Sequence, residues 1–297
     1  MKFAVTGGAG FVGTNLIKRL LSDGHEVISL DNYSTGKKEN EIDNDKVSYQ
    51  TVEMGAQLMH KPYIYDELLG KPDGVFHLAA LARIQPSIKN PKETIVNNFN
   101  STLNILDCAR KYEIPVVYAG SSSKHHGLYG SPYAWSKYGG EELCKLYSEV
   151  YELNTTICRF YNVYGSNHIR TGTYATVIGI FENQYLKGEP LTIVGDGEQR
   201  RDFTHIDDIV DGLIKCVGKN HKGKTFELGT GKNYSINEVS EMFGAMGNDD
   251  VTYIPARPGE YDVTLCDYSK AEKQLGYKPK GDLKTYIKKW IGENKNV

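Results

Sequence analysis

Short apolar runs bounded by turn residues alternate, along the first half of the chain, with longer segments in which apolar side chains recur every three or four positions. The runs KFAVT (2–6), EVISL (26–30), VSYQTV (47–52), GVFHL (74–78), PVVYA (115–119) and TTICRF (155–160) are rich in Val, Ile, Phe and Tyr, the composition of buried strands. Between the first two, GTNLIKRLLSDG (13–24) sets Leu16, Ile17, Leu20 and Leu21 on one face and runs into Gly24, a helix stop. The stretch 92–112 repeats the period with Ile95, Phe99, Leu103 and Leu106, and 133–151 repeats it with Leu143, Leu146, Tyr147 and Val150. Strand, helix, strand, repeated about six times, predicts a parallel sheet covered by helices on both sides: a Rossmann-like, doubly wound α/β fold. After about residue 163 the alternation loosens into Gly-, Pro- and Tyr-rich stretches such as NVYGSNHIRTGTY and IPARPGEYD. The expected organisation is a main domain over 1–163, with a return segment near 200–225, and a smaller C-terminal lobe over 164–297.

Composition narrows the partners. The 297 residues carry 35 basic and 37 acidic side chains, so no broad positive field attracts nucleic acid or an anionic membrane, and any phosphate binding must come from local groups. The five cysteines, Cys108, Cys144, Cys158, Cys216 and Cys266, are scattered and odd in number. That fits neither a disulfide framework nor a metal knuckle, and a reducing cytoplasm is the expected setting. No apolar run approaches the roughly 18 residues of a membrane span, and no leader precedes KFAVT, which argues against secretion and insertion.

The first turn, VTGGAGFVG (5–13), follows a strand and opens a helix. Gly7 or Gly8 permits the tight turn, Gly10 lets backbone approach a pyrophosphate, and Gly13 lets the helix pack close to the sheet. The helix N-terminus then offers free N–H groups to phosphate. Asp31 ends the second strand, where a carboxylate accepts hydrogen bonds from ribose hydroxyls and repels a 2′-phosphate, so NAD is expected over NADP.

In GSSSKHHGLYGSPYAWSK (120–137), Tyr133 and Lys137 stand four apart at the start of a helix and share a face. A free phenol, with pKa about 10, is a poor base at neutral pH, and lowering it by about three units takes only roughly 4 kcal/mol. A neighbouring ammonium and a bound nicotinamide cation both act in that direction. The tyrosine then takes a proton from a substrate alcohol while hydride leaves the same carbon. A serine at the end of the fifth strand lies where such sheets bind ligands. Counting from the strand favours Ser121, and counting back from Gly127 favours Ser122.

With these motifs the chain resembles the extended short-chain dehydrogenases/reductases, and within them nucleotide-sugar epimerases of the UDP-glucose 4-epimerase type. The ordered set TGGAGFVG, DNYSTG, HLAA, VNNFNSTLNIL, SSS, SPYAWSK, RFYNVYG, GEQRRDFTHIDDIVDG and RPGE runs almost end to end. The resemblance implies that Gly7, Gly10, Phe11, Val12, Asp31 and Asn32 hold NAD, with Leu78, Ala79 and Ala80 along its ribose and nicotinamide side and Asn97 helping to seat it. It implies Tyr133 as base and Lys137 as ribose ligand and tuner of Tyr133. Asn162, Arg201 and Arg257 are implied for a nucleotide-diphosphate sugar, where guanidinium forks suit a diphosphate; Asp202 and Glu260 are the acids either arginine would otherwise pair with. A homodimer formed through helices around 92–112 and 134–153 is also implied.

The chain departs from its relatives after the serines, where KHHGLYG replaces an aromatic-containing segment and the loop before Tyr133 is short. Lys124 and His125 stand near where 4,6-dehydratases of the superfamily carry an Asp–Glu pair, which favours pure hydride chemistry. His125 and His126 lack a Cys, Asp or Glu at chelating spacing, so no metal is expected. TVEMGAQLMH (51–60) lacks the usual adenine-contacting Asp, leaving Glu53 or a backbone group for that role. The reading is an NAD-dependent nucleotide-sugar 4-epimerase of the UDP-glucose/UDP-galactose type. Its alternatives are a dehydratase of the same superfamily or a non-catalytic NAD-binding regulator.

Overall fold

The computed structural model describes residues 1–55, 71–245 and 247–294. The strands β1 (Lys2–Thr6), β2 (Glu26–Asp31), β3 (Val47–Thr51), β4 (Gly74–His77), β5 (Val116–Ser121) and β6 (Thr155–Phe160) fall on the six apolar runs. Beyond them come β7 (Val163–Tyr164), β8 (Leu191–Val194), β9 (Arg200–Asp202), β10 (Thr204–His205), β11 (Lys224–Leu228), β12 (Asn233–Ser235) and β13 (Val251–Ile254). A seven-stranded sheet has the order β11-β6-β5-β4-β1-β2-β3, and all its neighbours are parallel. The doubly wound fold is therefore present, and the chain returns from beyond residue 163 to add β11 at one edge.

The sheet is buried on both faces, which is why its strands read as continuous apolar runs rather than alternating ones. Alternate residues feed different cores. Ala4, Ile28, Val75, Val116 and Tyr118 pack on one side with Ile105, Leu106 and Cys144. Phe3, Val5, Val27, Phe76 and Val117 pack on the other with Leu16, Leu20, Ile209 and Leu213. A third core of Tyr164, Phe181, Ile193, Phe243 and Trp290 lies among the later elements, where β8 pairs with β13. Among the described residues no helix is long and apolar enough to cross a membrane.

Helix α1 (Phe11–Ser22) begins two residues earlier than the apolar period indicates, because Gly10 rather than Gly13 is its N-cap. After α2 (Ile84–Lys89) comes α3 (Pro91–Ile95), which runs through a π-helical turn (Val96–Asn100) into α4 (Ser101–Lys111). The extra residue in that turn rotates the face that follows. Thr102, Ile105, Leu106 and Ala109 turn inward, and Leu103, expected in the core, is exposed. Helix α5 (Pro132–Tyr151) departs further: Lys137 and Glu141 are buried in it while Leu146 and Val150 are exposed. Of the apolar stripe read from its period, Leu146 and Val150 face outward while Leu143 and Tyr147 pack on the core, and the charged Lys137 and Glu141 are buried with them.

Candidate active site

The sheet order reverses between the paired strands β1 and β4, and at such a switch point the connections that leave the carboxyl ends part to opposite sides and open a crevice. A cleft of about 390 Å³ lies there, and Gly7, Gly10, Phe11, Val12, Asp31, Asn32, Leu78, Ala79, Ala80 and Asn97, all expected from the sequence, line it. Gly7 adopts φ +71°, so it, rather than Gly8, makes the tight turn. A Cβ on Gly13 would lie 2.1 Å from Gly7 O, so only glycine lets the helix come this close. No side chain caps the α1 N-terminus at Gly10, and the first helical amides have no intrahelical acceptor. An open, uncapped helix end beside a turn without side chains fits a dinucleotide pyrophosphate.

Asp31 is buried, with Oδ2 accepting from Ala9 N at 2.9 Å and Oδ1 from Tyr33 N at 2.8 Å. Burial raises its pKa against these amide bonds. Two amides leave a carboxylate further lone pairs for ribose hydroxyls. Asn32 Nδ2 donates to Glu53 at 3.1 Å, and Glu53 borders the cleft. Residues 56–60 of the stretch expected at the adenine lie outside the described residues.

The Leu78–Ala80 wall hangs on a buried polar chain that the sequence reading missed. Thr6 Oγ1 accepts from Leu78 N and Ala79 N, both at 3.1 Å, so its proton faces His77 Nδ1, 2.7 Å away. His77 Nε2 then donates to Thr102 Oγ1 at 3.1 Å, and Thr102 donates to Asn98 O at 2.8 Å. Asn98 Oδ1 accepts from Leu81 N at 2.8 Å, its Nδ2 donates to Ser136 Oγ at 3.0 Å, and Ser136 donates to Tyr133 O at 2.9 Å. Burial, with the Lys137 charge second, holds the His77 imidazole near pKa 3.

The chain ends at the acid–base candidates. Ser131 caps α5, Pro132 takes its first turn, and Tyr133 and Lys137 follow on one face. The Tyr133 hydroxyl donates to Ser121 Oγ at 3.4 Å. Ser121 Oγ also accepts from Ser123 N at 3.2 Å and Ser123 Oγ at 2.9 Å. Ser121 is thus the serine that meets Tyr133, and Ser123 supports it. Ser122 is buried beside them, and none of these bonds reaches it. Lys137 Nζ sits 4.3 Å over the Tyr118 ring, and burial pulls its pKa down to about 8 against the attraction of Glu141. Burial holds the Tyr133 phenol above its usual pKa, while the Ser121 bond and the charge of Arg83 pull it down. Sequence reasoning credited Lys137 with that pull and did not single out Arg83.

The residues expected at the substrate lie on distant segments. Arg201 is buried, donating to Arg200 O at 3.0 Å and to Glu260 at 3.3 Å. Arg257 is exposed. Asn162 has its amide engaged with Asp202 O at 3.0 Å and Thr264 Oγ1 at 3.1 Å, a brace between segments. His126 stacks on Tyr261, ring centroids 4.3 Å apart, and His125 Nε2 lies 3.0 Å from Glu227. Among the described residues no His, Cys, Asp and Glu cluster could hold a metal.

A crevice at a strand-order reversal lined by the glycine turn and Asp31, together with a Tyr133 hydroxyl bonded to Ser121 and Lys137 on the same helix, fits a dinucleotide enzyme of the short-chain dehydrogenase/reductase type. The chain belongs to the NAD dependent epimerase/dehydratase family, whose model matches residues 3–229, and its cofactor is NAD. It is 31% identical to a UDP-glucose 4-epimerase of Mycolicibacterium smegmatis over 98% of this chain and 97% of that one. Its fold matches a Thermotoga maritima UDP-glucose 4-epimerase with UDP-glucose, with TM-score 0.89 and 29% identity over 100% and 99% of the two chains. It also matches a Bacillus cereus UDP-glucuronic acid 4-epimerase in complex with UDP-glucuronic acid and NAD, with TM-score 0.87 and 28% identity over 100% and 99%. Relatives further include sugar-nucleotide decarboxylases and a dehydratase. The chain is thus an NAD-dependent sugar-nucleotide enzyme.

Proposed function

We propose that the chain is a nucleotide-sugar 4-epimerase of the UDP-glucose/UDP-galactose type. The observation that carries this reading is the Tyr133 hydroxyl bonded to Ser121 Oγ at the carboxyl end of β5, beside the cleft lined by the glycine turn. Bound NAD supplies a reversible hydride acceptor for the sugar C4. Tyr133 takes the 4-OH proton and later returns it, Ser121 bridges hydroxyl and phenol, and Lys137 holds positive charge beneath them. Return of hydride to the opposite face of the 4-keto sugar inverts the centre, with no net redox change. Arg201 and Arg257 are proposed to hold the diphosphate from a substrate-binding lobe over residues 164–297. Asn162 keeps the Asp202 segment in place for them.

NMR of UDP-glucose, UDP-N-acetylglucosamine and UDP-glucuronic acid incubated with the protein tests this. Inversion at C4 of at least one sugar is expected, with a fall in kcat of about 10²–10⁴ in Tyr133→Phe. A deoxy or decarboxylated product, or turnover untouched by Tyr133→Phe, would remove the proposal.

We also infer a homodimer through α4 and α5. Support comes from Leu103, Trp135, Leu146, Val150 and Tyr151, apolar side chains exposed on these two helices, more than scattered surface residues require. A second copy of the same helices would cover them. Light scattering should give twice the chain mass, and Leu146→Glu with Val150→Glu should reduce it to one; a monomeric native protein contradicts this.

A further inference from the structure

Arg83 is the N-cap residue of α2, directly after the cleft-lining run 78–82, and lines the cleft itself. Its Nε donates to Tyr174 O at 3.0 Å, from a second residue bordering the cleft. Among the described residues no carboxylate forms an ion pair with it, whereas the buried Arg159 and Arg201 and the half-buried Arg19 and Arg200 all have one. Arg257 also lacks a partner but is exposed to water, where an unpaired charge is well solvated. Arg83 is only partly accessible, and burial lowers its pKa. Its terminal nitrogens therefore present a planar fork of N–H donors for which the described residues supply no acceptor, a shape matched to a carboxylate.

The position of that fork is fixed. Tyr133 N donates to Ser87 Oγ at 3.1 Å, which joins α2 to the start of α5. Gln85 Nε2 donates to Pro258 O at 2.8 Å, and a Cβ on Gly259 would come within 3.0 Å of Ile84 and 3.1 Å of Gly130 O, so the loop bearing Glu260 closes over α2. Arg83 stands where these elements meet, near enough for its charge to act on Tyr133 and Glu260. Glu260 is already bonded to Arg201, and the buried Glu141 to Arg159. Around Tyr133 the positive groups are Arg83 and Lys137, joined by the nicotinamide ring when NAD is bound, and among the described residues the acids whose charge acts on Tyr133 or Arg83, Glu141 and Glu260, are the two already paired. A neutral hexose would leave that excess in a partly dehydrated site; an anionic one offsets it.

We propose that Arg83 forms a subsite for a carboxylate carried by the hexose, so that the preferred substrate is an acidic sugar nucleotide. This rests on the nucleotide-sugar reading above and departs from it in one respect, setting an acidic hexose in place of the neutral glucose/galactose pair. On that reading the pyrophosphate of NAD belongs at the glycine turn and the substrate diphosphate at Arg201, whereas Arg83 lies within electrostatic reach of Tyr133. The carboxylate recognised is therefore on the sugar ring, either as C6 or on an ether substituent.

Titration calorimetry with Tyr133→Phe protein loaded with NAD separates recognition from turnover. The probes are UDP-glucuronic acid, UDP-N-acetylmuramic acid and UDP-glucose. One acidic sugar should bind about tenfold or more tightly than UDP-glucose, and which one does so locates the carboxylate. Arg83→Met should bring that ratio to about one, and Arg83→Lys, which keeps the charge, should retain a smaller preference of the same sign. UDP-glucose binding as well as both acidic sugars, or a preference that survives Arg83→Met, overturns the subsite. Selective binding without C4 inversion in the intact enzyme removes the epimerase reading alone and leaves the subsite standing.

Discussion

The two ends of the cleft are made of different materials. At the cofactor end the working groups are backbone: the Gly7 turn, the uncapped amides of α1, and an Asp31 carboxylate fixed by the amides of Ala9 and Tyr33. All of it comes from one strand–helix–strand unit. At the end proposed for the sugar the groups are side chains, and Arg83, Tyr133, Arg201 and Glu260 arrive from separate parts of the chain. A site built on amides forbids side chains at its glycines and is otherwise tolerant. A site built on side chains can change its ligand through one replacement.

The sharpest way to break this contrast is to add one carbon at the cofactor end. In Gly13→Ala the new Cβ would meet Gly7 O at 2.1 Å and Gly8 Cα at 2.6 Å, both backbone atoms that cannot swing aside. The expected result is a loss of about 3 kcal/mol or more of stability together with loss of retained NAD, read by thermal unfolding and by mass spectrometry of the purified protein. A Gly13→Ala protein that keeps both NAD and its melting temperature would show that the turn can shift, and that the two ends are less different than their atoms indicate.

The contrast also explains what could be read from sequence. The sheet, the glycine turn and Asp31 are local patterns, set by period and by steric need within about thirty positions, and they appear where expected. Tyr133 and Lys137 were legible because four residues on a helix make one face. Arg83 was not, because no spacing links a loop residue after β4 to a hydroxyl at position 133; only the bond from Tyr133 N to Ser87 does so. The helix faces misled for a related reason. A π-helical turn moved Leu103 outward, and the buried Glu141 finds Arg159 at 2.6 Å, so a paired charge can face the sheet. Periodicity registers apolar spacing and is blind to paired charges.

A smaller effect tests whether the two ends are independent, since both hang from His77. On one side its ring holds Thr6, which fixes the Leu78 and Ala79 amides of the cofactor wall; on the other it holds Thr102, from which Asn98 and Ser136 lead to Tyr133. In the folded protein burial holds its pKa down at about 3, against about 6.5 for an imidazole in water. The unfolded chain therefore binds one more proton through that interval, so stability rises with pH there and falls as pH drops from 6.5 towards 3. Between pH 7 and pH 5 the loss from this one group is about 2 kcal/mol. Denaturant midpoints at the two pH values should differ accordingly in the native protein, and His77→Gln, which cannot take up the proton, should remove that part of the slope. Parallel pH profiles for the two proteins would mean that the imidazole is not what ties the cofactor wall to Tyr133. Loss of the slope, with NAD retention and kcat declining together as the native protein is acidified, would make the ends one mechanical unit despite their different construction.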